Sequence, residues 1–159
     1  MKEIFEILEK DARTTPQQIS TMTGIPLAKV NNVINEAEEK GTIIKYKAMI
    51  NWERLEEKQV WALIEVKIQP QREVGFDAVA ERIYRFPQAQ SVYLASGAYD
   101  LAVLVGGSTM HEVSDFVIQK LAPLEGVQST VTHFVLKRYK ENGEILALEE
   151  ESVRLPIIL

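Results

Sequence analysis

The sequence contains no cysteine, which excludes disulfides, zinc–thiolate centres and thiol nucleophiles and permits a reducing compartment. It has only two histidines, His111 and His133, and neither stands at a readable spacing from groups that would complete a triad or a metal site. No G-x-G-x-x-G or Walker loop occurs, and Gly106-Gly107 reads as a turn at a strand end. No apolar run approaches the ~18 residues of a membrane span. The first residues, MKEIFEILEKDAR, are acidic and amphipathic, unlike a leader peptide. There is also no basic excess: the net charge is −5, with eight basic and eight acidic residues in 1–54 and ten against fifteen in 55–159. Any binding to nucleic acid must then rest on local geometry and on several copies of a site, since phosphate contacts supply most non-specific affinity. With 46% apolar and 26% charged residues over 159 positions, wholesale disorder is excluded. The expectation is a soluble, cytoplasmic protein of one mid-sized or two small domains.

What is present changes character near residue 55. Ile4, Phe5 and Leu8 form the apolar stripe of a first helix. Thr15-Pro16-Gln17-Gln18 combines a capping box with proline at the first helical position, so a second helix starts there. Gly24 supplies a left-handed turn residue and Pro26 opens a third helix, striped by Leu27, Val30, Ile34 and Ala37 and stopped at Gly41. This spacing predicts a helix-turn-helix, and Thr42 to Ile50 reads as a short strand pair beside it, a wing. A plain three-helix bundle remains the alternative. If the unit binds DNA, the third helix presents Lys29, Asn31, Asn32 and Asn35 to the major groove, where Asn pairs bidentately with adenine. Lys45 and Lys47 on the wing would hold phosphate, whereas Glu36, Glu38 and Glu39 confine contact to the first two turns of that helix.

From Val60 the period shortens. Val60–Ile68 is a β-branched strand closed by Pro70. Phe76, Val79, Ala80 and Ile83 stripe a helix that ends near Pro87. Ser91–Ser96 and Tyr99–Val105 form a hairpin about Gly97-Ala98. Thr109 and Glu112 make a second capping box, opening a helix striped by Met110, Val113, Val117, Leu121 and Leu124 and broken at Gly126. Val127–Lys137 is the last strand. The order βαββαβ is that of the ferredoxin-like sandwich, so the fold class is α+β. Both helices then cover one sheet face, yet Trp61, Leu63, Ala102 and Leu104 leave the other face apolar. Such a face marks an interface and predicts a homodimer of stacked sheets. The domains are accordingly 1–54, 55–140 and a tail, 141–159, which carries the hairpin signal Asn142-Gly143 and either adds a strand to a neighbour's sheet or stays unfolded.

These residues resemble the leucine-responsive and asparagine regulator (Lrp/AsnC) family of prokaryotic transcription factors. The resemblance spans roughly residues 3 to 140. Its motifs are Ile7-Leu8-Glu9-Lys10-Asp11-Ala12-Arg13, Ile19 through Gly24-Ile25, Gly41-Thr42-Ile43-Ile44-Lys45-Tyr46, Ser96-Gly97-Ala98-Tyr99-Asp100-Leu101, Gly126-Val127 through Thr132, and Val135-Leu136-Lys137. It implies a winged helix-turn-helix for double-stranded DNA and a domain that assembles dimers into higher oligomers, octamers included. It further implies an amino-acid effector between dimers, near Ser96, Gly97, Ala98, Tyr99 and Asp100 with Thr130 and Thr132. Backbone N–H groups of the glycine turn would receive the carboxylate and Asp100 the ammonium. Members often place Arg where Asn32 and Val33 stand, a Ser cap where Pro26 stands, and Asp where Ala98 stands. Neither a cofactor, a metal nor a catalytic residue is expected. Two rival readings are an amino-acid-sensing module with little DNA binding, and a decarboxylase of siroheme, whose architecture resembles this one. The scattered Arg72, Arg82, Arg85, Arg138 and Arg154 speak against the second, which would need a cationic pocket.

Overall fold

The computed structural model describes residues 1–55, 57–69 and 75–146. The chain divides into two units, one of Met1–Ile50 and one from Asn51 onward. Among the described residues no helix is long and apolar enough to cross a membrane.

In the first unit, α1 (Lys2–Lys10), α2 (Pro16–Thr23) and α3 (Leu27–Glu39) enclose Ile4, Ile19, Val30, Val33 and Ile34. The capping box forms as the sequence spells it: Gln18 N–H donates to Thr15 Oγ1 at 3.3 Å, and Thr15 N–H donates to Gln18 Oε1 at 2.8 Å. Gly24 ends α2 at φ 71°, in the left-handed region that glycine enters without a Cβ penalty. Two expectations fail. Leu27 is exposed and Val33 takes the buried place. A helical side chain leans over the turn that precedes it, and Leu27, the first residue of α3, has none to cover. The strand pair predicted over 42–50 does not form either. Ile43 N–H instead donates to Ala37 O and its side chain packs on the helices, while Ile44 is 92% exposed. A ladder needs a second strand at about 4.8 Å, and this unit contains none.

The second unit opens with a 3₁₀ turn, Trp52–Leu55, and then runs β1 (Val60–Ile68), α4 (Phe76–Tyr84), β2 (Ala89–Leu94), β3 (Leu101–Gly107), α5 (Met110–Phe116) and β4 (Val127–Val135). The sheet order is β2-β3-β1-β4 with every pair antiparallel, the ferredoxin-like sandwich. Ala62, Ile64, Val66 and Ile68 of β1 and Leu101, Val103 and Val105 of β3 meet Val79, Ile83, Val113, Phe116 and Leu121 from the helices. Pro70, expected to close β1, lies outside the described residues.

Here too the structure corrects details. The hairpin turn is not confined to Gly97-Ala98: β2 stops at Leu94 and β3 starts at Leu101, leaving a loop of 95–100 closed by Ala95 N–H on Asp100 O. At α5 only half of the predicted box forms. Thr109 Oγ1 accepts from Glu112 N–H, but the Glu112 carboxylate reaches Ser108 N–H instead of Thr109. Met110 and Phe76, expected in the buried stripes, are exposed, and both are first helical residues like Leu27. After α5 the chain makes a π-helical turn, Val117–Leu121, before Gly126 at φ 92° leads into β4. Beyond it, β5 (Lys140–Glu141) and β6 (Glu144–Ile145) pair about Asn142 and Gly143, both at positive φ as a type I′ turn requires. The rest of the tail, 147–159, is outside the described residues.

Candidate nucleic-acid and effector sites

In α3 the residues Lys29, Asn31, Asn32 and Asn35 are all exposed, opposite the stripe of Val30, Val33, Ile34 and Ala37. At about 100° per residue, Asn32 and Asn35 lie some 60° apart at the middle of the outward face, and Lys29 and Asn31 flank them about 160° apart. The helix thus offers two central amide side chains with a cation on one shoulder. Lys45 and Lys47 are exposed on the segment that follows. The acidic second half of α3 is less hostile to phosphate than its sequence suggests. Glu36 pairs with Lys40, whose hydrogen bond and charge lower its carboxyl below the usual range. Glu38 accepts from the Tyr46 hydroxyl at 2.8 Å, and burial, followed by that carboxylate, raises the Tyr46 phenol.

The second candidate surface lies at the end of β1. Ser96, Gly97 and Ala98 are exposed, Tyr99 and Asp100 half-buried, and Gly97 has φ 140°. Asp100 is already engaged: its Oδ2 accepts from Ile68 N–H at 2.8 Å, and Lys67 Nζ stands 3.4 Å from the carboxylate. The Ile68 N–H bond is the main cause of a lowered Asp100 carboxyl, with Lys67 adding to it against partial burial. With Asp100 N–H on Val66 O, this loop is stitched to the central strand. Thr130 and Thr132 pair with Val66 and Ile64, so both point to the helix-covered side of the edge strand β4, half-buried. Thr130 and the start of β3 lie across β1 from each other, two strand spacings or about 10 Å apart. One small head group does not span that gap within a single chain.

The open sheet face is read directly from the register. Ser91, Leu104, Leu63 and His133 form one row, and Tyr93, Ala102, Glu65 and Val131 the next. Trp61 lies beyond, between Gly106 and Val135, its ring 3.2 Å from where a Gly106 Cβ would stand. His133 Nε2 meets Glu65 Oε1 at 3.2 Å on this face, and His111 meets Asp115 at 3.3 Å on α5. The cross-strand partner of His133 is invisible in a linear reading, because register decides which residues face each other; the alternation Glu65, Lys67 is its only local signal. Among the described residues no group of three His, Asp or Glu side chains could hold a metal ion.

Comparison with known proteins follows the same division. The family model described as winged helix-turn-helix DNA-binding matches residues 1–44, and that described as Lrp/AsnC ligand binding domain matches residues 61–145. A Bacillus subtilis protein named uncharacterized HTH-type transcriptional regulator YugG is 45% identical over 156 residues, covering 98% of this chain and 94% of its own. The HTH-type transcriptional regulator FL11 of Pyrococcus furiosus is 31% identical, over 91% of this chain and 92% of its own. Among solved structures, the leucine response regulatory protein LrpA of Mycobacterium tuberculosis superposes with a TM-score of 0.76 at 18% identity, covering 92% of this chain and 97% of that one. The transcriptional regulator NMB0573 of Neisseria meningitidis, solved as a complex with L-Met, gives 0.71 at 23% identity, over 87% and 89%. At these identities the structural likeness speaks for the fold.

Proposed function

Because this chain belongs to the Lrp/AsnC family of transcriptional regulators, we propose that it reads DNA through α3 and is modulated in the cytoplasm by an amino acid bound where copies of the chain meet. The observation that carries this reading is the match of both halves, DNA-binding first and ligand-binding second, over nearly the whole chain. In it, Asn32 and Asn35 read base edges with Lys29 and Asn31 beside them, and Lys45 and Lys47 hold phosphate. The open sheet face packs on the same face of a second copy, an isologous contact that covers Leu63, Leu104 and Val131, and dimers assemble further, to octamers. The effector contacts Ser96, Gly97, Ala98, Tyr99 and Asp100 of one copy. Thr130 and Thr132, too distant in the same chain, come from another. No residue is given a catalytic role.

The test is selection of genomic fragments by the purified protein, against a Lys29→Ala, Asn32→Ala variant, between about 50 and 200 mM salt. Discrete fragments enriched by the wild type, lost in the variant and altered by one or more amino acids are expected. Enrichment of nothing above background by either protein sinks the DNA-reading claim and leaves an amino-acid sensor.

A further inference from the structure

Both tryptophans of the sequence, Trp52 and Trp61, line one cavity at the end of the sheet remote from the loop 95–100, about 20 Å away along β1. Its walls are the Trp52–Leu55 turn, the residues leading into β1, and the end of β4 with Lys137 and Arg138. Two observations mark it as more than a packing gap. Trp61 Nε1 is buried and has no hydrogen-bond partner among the described residues. A buried donor left unpaired is costly, so native proteins pair such groups with protein, water or ligand. Beside it, Arg138 stacks on the Trp61 ring, its guanidinium carbon 5.1 Å from the ring centroid, and among the described residues it spends only Nη1, on Glu141 at 2.9 Å. A guanidinium carries five N–H donors in a planar fork, so most of this one remains to be used. Its side chain is 17% exposed, which strengthens what it holds.

We propose that this cavity is a binding site for a small monocarboxylate, held by the Trp61 indole N–H and the Arg138 guanidinium. An acceptor is demanded, because both unspent groups are donors only. Size limits it: the cavity measures about 50 Å³, room for roughly three to five heavy atoms when one water needs some 10–15 Å³. Charge limits it too, since Glu53 and Glu57 share the lining with Lys137 and Arg138, and two carboxylates on the wall repel a multiply charged anion such as sulfate. The occupant would tie the Trp52–Leu55 turn, where the second unit begins, to the sheet. This site is independent of the effector reading above, and its failure leaves that reading untouched.

The two tryptophans make the test direct, because the tryptophan fluorescence of the protein arises only at this cavity. Sodium acetate and sodium formate are titrated into the full chain against sodium chloride and sodium sulfate at matched ionic strength. A saturable change with the carboxylates and none with chloride or sulfate is expected. Arg138→Gln and Trp61→Phe, the latter keeping Trp52 as reporter, should each weaken acetate by about tenfold or more. If Trp61→Phe loses its far-UV circular dichroism, Arg138→Lys decides: it keeps the charge but not the fork, and a clear weakening supports the site while a wild-type response overturns it. The same change with chloride or sulfate would mean a general salt effect, and no saturable change would mean a cavity holding water only. Either result refutes the proposal.

Discussion

Two glycines separate backbone strain from side-chain overlap. Gly41 and Gly126 both stand at positive φ, 69° and 92°, where an L-residue costs about 1–2 kcal/mol. Around Gly41 no atom of the described residues lies within 4 Å of where a Cβ would stand, so Gly41→Ala should cost that strain alone. At Gly126 the new methyl would stand 2.9 Å from Val79 Cγ2, and Val79 is fully buried in the core of the second unit. Overpacking there adds about 1–3 kcal/mol, so Gly126→Ala should cost roughly 2–5 kcal/mol in total. A double-mutant cycle isolates the overlap. Val79→Ala alone should cost about 2 kcal/mol for two buried methyl groups, and in the Gly126→Ala background it should cost less by the overlap term, because it removes the clashing group. Urea denaturation of the four proteins gives the numbers, with tryptophan fluorescence following the second unit and far-UV circular dichroism the whole chain. Equal costs for the two glycine substitutions, or an additive cycle, would falsify the account of Gly126 as a packing constraint.

Three further outcomes are expected. Leu104→Glu places a carboxylate in the open sheet face, and in a stacked dimer it meets its own image; self-association should weaken by at least ~3 kcal/mol, about 100-fold, so that light scattering finds monomer where the wild type is assembled. Thr15→Ala removes both halves of the α2 capping box and should lower stability by ~1 kcal/mol, with a matching fall in the denaturation midpoint; no change would mean the box contributes nothing. Asp100 is held ionised by Ile68 N–H and Lys67, so its folded carboxyl lies below its unfolded value of about 3.9. Its contribution is therefore complete above that value and disappears as pH falls through the lower folded one, so the stability gap between wild type and Asp100→Asn should narrow between about pH 5 and pH 2. A gap that stays constant across that range tells against the Asp100–Ile68 clasp.

The parts of the fold that were legible in the sequence are those that local chemistry dictates. Thr15-Pro16-Gln18 places the start of α2, Gly24 its end, and the change from helical spacing to β-branched runs at Val60 separates the two units. Asn142-Gly143 marks its hairpin for the same reason. What escaped depends on non-local facts. The segment after Gly41 has the composition of strands but finds no ladder partner, and Ser96 and Tyr99 leave the hairpin because Asp100 caps β1 instead of pairing. At the sites, the outward set Lys29, Asn31, Asn32 and Asn35 follows from period alone. The facing of Thr130 and Thr132 follows from register, which no single strand reveals, and the pairing of Arg138 with Trp61 depends on how the chain returns beside β1.

The buried and outward faces of α3 share no residue. Val30, Val33, Ile34 and Ala37 hold the helix in place, while Asn31, Asn32 and Asn35 touch solvent and carry no part of that packing. Exchanging an amide for another polar side chain on that outer stripe leaves the protein's thermodynamic footing intact. Lineages descended from a common ancestor can therefore diverge in which operators they recognise without first acquiring compensating changes in the interior, and the same freedom is open to anyone who wishes to redirect the helix by substitution.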